Sequence, residues 1–299
     1  MTAAGDRVTA GPGPTGSIYD IGYRGYDGPR LGRRHAFTTL FVGALRATYG
    51  FGRTARAKIL PGFCLVFPAI IAVIFVAMNA FAARFGINDM GAIPGHPDME
   101  GAVGVFVTIL VAVQAPELLG RDVRYRVLSL YFSRALQRVD YALAKLAALS
   151  VAVAILLLVP HLILTVGAVL LTSDIGGALG REAGKWPAIL GSVVLMSVAM
   201  PAVALLVAAY VARRAYATVT IFGLFIVPGI IATVIIALDL GPTSHWVVLL
   251  DIGTVLDAAN AWFFGIVPSV GVWPESGLPV AVGVVASLVI AAGASAILV

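Results

Sequence analysis

The sequence predicts an all-α polytopic membrane protein with six transmembrane helices. Three observations predict it: extreme apolarity, six continuous apolar runs, and basic residues gathered on alternate connections. Of 299 residues, 60% are hydrophobic and 12% charged, and the mean hydropathy is +0.99. Soluble domains average about 25% charged residues. A bilayer core of roughly 30 Å takes about 20 apolar helical residues, whose backbone N–H and C=O groups pair within the segment because water is absent. A transmembrane β-barrel would instead alternate apolar and polar positions over about ten residues per strand, and the runs here do not alternate.

In chain order, residues 1–36 form a cytoplasmic N-terminal segment without the apolar core of a cleavable signal, leaving the first span to direct insertion. Residues 37–61 form an amphipathic interfacial (elbow) helix and connector. Phe37, Leu40, Phe41, Ala44 and Leu45 recur at helical spacing while Arg34, Thr38 and Arg46 fall on the other side. Such a helix suits the inner membrane surface, with apolar side chains in the acyl boundary. Residues 62–299 hold the six spans, at about 62–83, 101–118, 146–171, 187–212, 215–238 and 278–299. Prolines fall inside five of them, Pro68, Pro116, Pro160, Pro201 and Pro228, where each removes a helical hydrogen bond and can bend a helix that lines a pathway. The outer loop 239–277 mixes Trp262 and Phe263 with Asp251, Asp257 and Asn260, which suits short helices dipping into the outer interface as a lid. In the last span Gly283, Ser287 and Ala291 form a small-residue stripe that suits an interface with a second subunit.

Charge sets the orientation, because Lys and Arg accumulate on the cytoplasmic side. Nine basic residues precede the first span, six lie between spans two and three, and Arg213 and Arg214 lie between spans four and five. Arg84, Arg181 and Lys185 alone face outward, beside nine acids. Both termini are therefore expected in the cytoplasm of a multi-pass plasma-membrane protein. The net charge of +5 is a topology signal, since nucleic-acid binding needs a basic soluble module that is not found here.

A gradient-driven carrier generally keeps ionisable groups inside the bilayer. No acid, Lys or Arg falls in the middle of a span; His161, after Pro160, is the titratable side chain at depth, and Glu117 lies at the inner end of span two. Both are candidate pathway residues. No catalytic, cofactor-binding or metal-ligating constellation stands out. The single cysteine, Cys64, excludes an intramolecular disulfide. The stretch GGALGREAGKW fails as a phosphate loop, with Leu179 in place of the first glycine and Trp186 in place of the Ser or Thr that would hold magnesium. Uphill transport would then draw its free energy from a cytoplasmic partner.

The stretch RDVRYRVLSLYFSRALQRVDYALAKL, residues 121–146, suits that role. Val123, Val127, Leu130, Tyr131 and Leu136 intermix with Arg124, Arg126, Ser133, Arg134 and Arg138, and arginine and aromatic side chains anchor protein interfaces. The same charges would also suit a loop whose arginines bind lipid phosphate.

The run APELLGRDVRYRVLSLYFSRALQRVDYALAKLAAL, residues 115–149, resembles the cytoplasmic segment of ABC-2-type permeases, the membrane subunits of ATP-binding-cassette exporters. The matching features are Arg121 with Asp122, the basic Arg124 and Arg126, the L-x-L-Y-x-S-R element from Leu128 to Arg134, Asp140 with Tyr141, and Lys145. Ala135 departs from the pattern, in which a proline commonly follows. The segment YRGYDGPRLGRR, residues 23–34, is similar to the opening of actinobacterial members.

The resemblance implies a cytoplasmic coupling helix between spans two and three, in which Arg121, Asp122, Arg124, Arg126, Leu130, Tyr131, Arg134 and Arg138 dock on the partner. Asp140, Tyr141 and Lys145 would begin span three, and Asp122 would pair with Arg124 or Arg126. The implied partners are ATP-binding-cassette nucleotide-binding subunits, which bind the ATP and magnesium, and a second copy or a homologous six-span permease. The implied activity is export of a hydrophobic or amphipathic substrate. A different class also fits the basic loop, a non-transporting scaffold or sensor that binds a signalling partner there.

Overall fold

The computed structural model describes residues 28, 31–86, 94–133, 136–211, 213–238, 241–268 and 273–299. Gly32–Val299 forms one compact unit. Among the described residues the regular structure is helical, without strands. Helix α1 (Arg33–Thr48) precedes α2 (Arg56–Phe85) and α3 (His96–Arg124); a short α4 (Leu128–Phe132) leads to α5 (Arg138–Leu170), α6 (Ile175–Tyr210) and α7 (Arg214–Ala237). A 3-10 segment (Pro242–Leu250), α8 (Ile252–Phe264), α9 (Trp273–Ser276) and α10 (Val280–Leu298) complete the chain.

Six helices, α2, α3, α5, α6, α7 and α10, are long and apolar enough to cross a membrane. Helices α3 and α6 form the centre: 72% of the apolar window of α6 is buried, against 17% in α7 and 22% in α2 and α10. Val103, Val107 and Leu110 of α3, Leu149, Leu156 and Leu157 of α5, and Ile189 and Leu205 of α6 share one core. Lipid tails are as apolar as leucine, so close packing rather than escape from water holds such a core together. Pro68, Pro116, Pro160 and Pro201 are buried, and their helices continue through them.

Several helices begin earlier than hydropathy predicts. Helix α5 starts at Arg138 rather than near 146, because Gln137 and Asp140 form a capping box there, with the Gln137 N–H donating to Asp140 Oδ2 at 3.0 Å. Helix α6 starts at Ile175 rather than near 187, because Asp174 caps it by accepting from the Gly177 N–H at 2.9 Å.

Helix α1 has the predicted periodicity. Its stripe of Leu40, Phe41, Ala44 and Leu45 packs against the protein core, chiefly along α5. Tyr49, just past its end, donates to the Ala152 carbonyl at 2.9 Å, and burial pushes its phenol up to about 12. The chain then turns at Gly50, where φ is +72° and a Cβ would lie 2.7 Å from the Ala57 carbonyl oxygen, so glycine is required twice over.

Within residues 239–277 two helical segments form a bent pair: Ser244–Leu250 and Ile252–Phe264 meet at 92°. Helix α8 is wedged against α10 and α6, with Ile252, Val255, Leu256 and Ala258 through Ala261 buried. A Cβ on Gly283 would come within 2.7 Å of Ala258 Cβ and 3.1 Å of the Val255 oxygen, so α10 and α8 touch backbone to backbone. This corrects the reading of the small-residue stripe. Gly283, Ser287 and Ala291 are buried within the chain and do not face a second subunit.

Candidate functional site at the basic end

Four contacts gather the start of α1, the α1–α2 connector, the end of α3 and the starts of α5 and α7 at one end of the bundle. Arg33 grips Asp140 through two bonds of 2.7 Å, Nε to Oδ2 and one terminal nitrogen to Oδ1. Glu117 of α3 is held on both oxygens, by Arg53 at 2.8 Å and Arg214 at 2.7 Å. Glu117, a candidate pathway residue from sequence, is thus a clamp between the connector and α7. The roles of Arg33, Arg53 and Arg214 were not separable in the sequence from the general excess of cations at this end.

The fourth contact is a buried knot. Asp122, near the end of α3, accepts on Oδ2 from the Tyr141 hydroxyl at 2.8 Å and pairs through the same oxygen with Lys145 Nζ at 2.8 Å. Lys145 also donates to the Leu118 carbonyl at 3.0 Å and lies 5.3 Å from the centre of the Tyr141 ring. The expected partner of Asp122 was Arg124 or Arg126. The structure pairs it with Lys145, because α5 begins two turns early and carries the ammonium group to the base of α3; the Arg124 side chain lies outside the described residues.

Above the knot the chain reverses sharply. The Val127 N–H donates to the Asp122 carbonyl at 3.1 Å, and Arg126, between them, has φ +53°. This is the Schellman arrangement that ends many helices, with an arginine where glycine is usual. Among the described residues Arg126 is the one non-glycine residue at positive φ. Its side chain is exposed, as are those of Tyr125, Ser129 and Arg138.

The aromatic residues of α4 point the other way. Tyr131 and Phe132 are half-buried, their rings 5.8 Å and 6.2 Å from that of Tyr141. Sequence reasoning placed Tyr131 in the docking surface; here it props α4 against α5. Arg134 lies outside the described residues, as do the side chains of Arg121, Arg124 and Leu130. The segment therefore offers Tyr125, Arg126 and Arg138 outward on a frame fixed by Asp122, Tyr141 and Lys145.

The opposite, acidic end carries polar groups that sequence reasoning placed outside the spans. His161 Nδ1 of α5 lies 2.9 Å from His96 Nδ1 of α3, with the two rings nearly parallel at 17°. His96 Nε2 lies 2.9 Å from Glu182 Oε2 of α6, and Glu182 Oε1 takes a 2.6 Å contact from Lys185. One turn beyond His96, Glu100 is 2% exposed. Its Oε1 and the Nε2 of His161 are buried without a partner among the described residues. His161, expected as the one titratable group at depth, is buried in a chain of contacts with His96 and Glu182, and Glu100 is buried one turn along α3. Glu100 sits one residue before the expected second span, and Glu182 within the discarded GGALGREAGKW stretch. Asn260 of α8 donates to the Pro97 carbonyl at 2.7 Å and fastens the bent pair to the same end.

Among the described residues no group of three or more His, Cys, Asp or Glu side chains is placed to hold a metal ion. No protein-family model matches the chain, and no curated protein matches it either.

Proposed function

We propose that this chain is the membrane-spanning permease subunit of an ABC-2-type exporter in a bacterial plasma membrane, with the basic end and both termini in the cytoplasm. It moves a hydrophobic or amphipathic substrate, and a separate nucleotide-binding subunit hydrolyses the ATP. Two six-span chains, identical or homologous, form the pathway. The observation that carries this reading is the knot of Asp122, Tyr141 and Lys145. The residues of the permease-like motif that look interchangeable with other charges are the ones that meet, and they brace a sharp turn presenting Tyr125 and Arg126. A loop that merely collects lipid phosphate has no need of a buried ion pair and an aromatic prop behind it.

In mechanism, α4 and the Arg126 turn form the coupling element, and α1 acts as the elbow, tied to α5 by Arg33 and Asp140. A partner that changes shape with nucleotide biases the permease only through contacts that differ between its two states. Rigid support behind the turn passes that bias to α3 and α5 rather than dissipating it in a loop.

The test is transport into liposomes of stated composition, using a panel of fluorescent amphipathic dyes. Dye accumulation is expected when the chain is reconstituted with its nucleotide-binding subunit and ATP, and not with either alone. Accumulation by the chain alone would overturn the reading. A chain that binds a signalling protein at the basic end and moves no dye under any condition would be a scaffold.

A further inference from the structure

We propose that His161, His96, Glu182 and Lys185 form a proton-operated latch that holds the acidic ends of α3, α5 and α6 together and releases them when the histidine pair takes up two protons. The inference is independent of the transport reading, since it concerns only how three helices of this chain are joined.

Proton counting on the observed geometry carries it. The two Nδ1 atoms face each other at 2.9 Å, a hydrogen-bond distance, so one proton lies between them. The arrangement closes with both rings neutral. His161 donates from Nδ1 to His96 Nδ1, and His96 donates from Nε2 to the Glu182 carboxylate, whose other oxygen meets Lys185. One added proton is still tolerated, because a single imidazolium can donate to a neutral ring. Two are not. A doubly protonated pair points N–H at N–H across the same gap and sets two cations in parallel rings whose centres are 5.2 Å apart. Glu182 cannot offset both, since Lys185 already balances it.

The surroundings offer little other compensation. Among the described residues the remaining ionisable groups at this end are Asp98, which accepts from the Gly95 N–H, and Glu100 on α3; Asp174, which caps α6, and Arg181 on α6; Arg84 on α2; His245 on the 3-10 segment; Asp251, which caps α8, and Asp257 on α8; and Glu275 on α9. Glu100 faces Ser192 and the charge of Asp257 rather than the histidines. Helix α10 brings no ionisable side chain, and α5 brings none at this end besides His161. His161 and His96 are 0% and 4% exposed, so protons reach them from the acidic end by way of Glu182 or by brief opening of the contact.

Amide hydrogen exchange of the full chain in lipid nanodiscs, corrected for intrinsic exchange, tests the proposal. Peptides spanning 94–104, 158–171 and 175–190 are followed at about pH 8 and about pH 5. On acidification the wild type is expected to exchange about tenfold faster there, with no change in α7. In His161→Gln the acid-dependent acceleration is expected to be lost, and Lys185→Met, which frees the Glu182 carboxylate to compensate a second imidazolium in the closed latch, is expected to shift its midpoint towards more acidic pH. If His161→Gln does not fold, His96→Gln gives the same reading. Equal protection of the wild type at both pH values, or an unchanged acid response in the histidine variant, would overturn the latch.

Discussion

Lys145 is the residue on which the basic end turns. Its side chain is 8% exposed and its ammonium answers Asp122, whose side chain is 15% exposed. Removing one partner of such a buried pair leaves the other charge uncompensated, at a cost of about 3–5 kcal/mol. Asp122→Ala is therefore expected to lower unfolding stability in detergent by roughly 3 kcal/mol. The double variant Asp122→Leu, Lys145→Met should lose clearly less than the sum of the singles, a difference that a double-mutant cycle on thermal or denaturant unfolding would measure. Tyr141→Phe removes one hydrogen bond to a charged acceptor and is expected to cost about 1.5–3 kcal/mol by the same assay. The Tyr49 phenol contributes a pH dependence of known sign. Its folded value is raised to about 12 from an ordinary 10, so its stabilising contribution is complete below pH 10 and declines as pH rises from there through 12. Tyr49→Phe should lose that share of the decline, which an alkaline unfolding series compared with the wild type would show.

At the scale of the element, the turn between α3 and α4 holds an arginine in a backbone conformation that favours glycine. A left-handed residue other than glycine costs roughly 1–2 kcal/mol. Arg126→Gly is thus expected to stabilise the turn by about 1 kcal/mol in unfolding measurements while weakening docking of the partner. A variant that loses both stability and docking would mean the arginine acts on the fold instead. The same element shows what was and was not legible in the sequence. Six apolar runs became six helices because length and apolarity suffice to define a spanning helix. Their ends were misplaced where charged residues continue the helix: Arg138, Asp140 and Lys145 at α5, Glu182 and Lys185 at α6. Hydropathy treats each such residue as an unpaired charge in lipid, yet Asp140, Lys145 and Glu182 have partners on other helices, 107 positions away for Asp140 with Arg33, 27 for Lys145 with Leu118 and 86 for Glu182 with His96. Local pattern carries no trace of such distances. The inward turn of Tyr131 was hidden for a related reason, since an aromatic anchor for a partner and one for the chain's own next helix look alike in one dimension.

At the scale of the molecule, two polar clusters stand at the two ends of an apolar bundle whose centre is α3 and α6. Both clusters include α3 and α5, so a displacement of these helices at the basic end bears directly on the contacts of His96 and His161 at the other. Glu117 fixes α7 and the α1–α2 connector to α3, and Glu117→Gln should weaken both contacts at once, costing about 1–3 kcal/mol in unfolding assays. The exposed apolar faces of α2 and α7 remain for lipid or for a second six-span chain, whereas the stripe on α10 is already used within the fold. The most direct test of a permease driven from its basic end is the ATPase activity that stays with the chain through purification in mild detergent, compared between the wild type and Arg126→Glu. The account predicts a nucleotide-binding subunit and its ATPase activity retained by the wild type and lost in the variant, with the variant's helical content unchanged. Equal retention of that activity by the two proteins would contradict it.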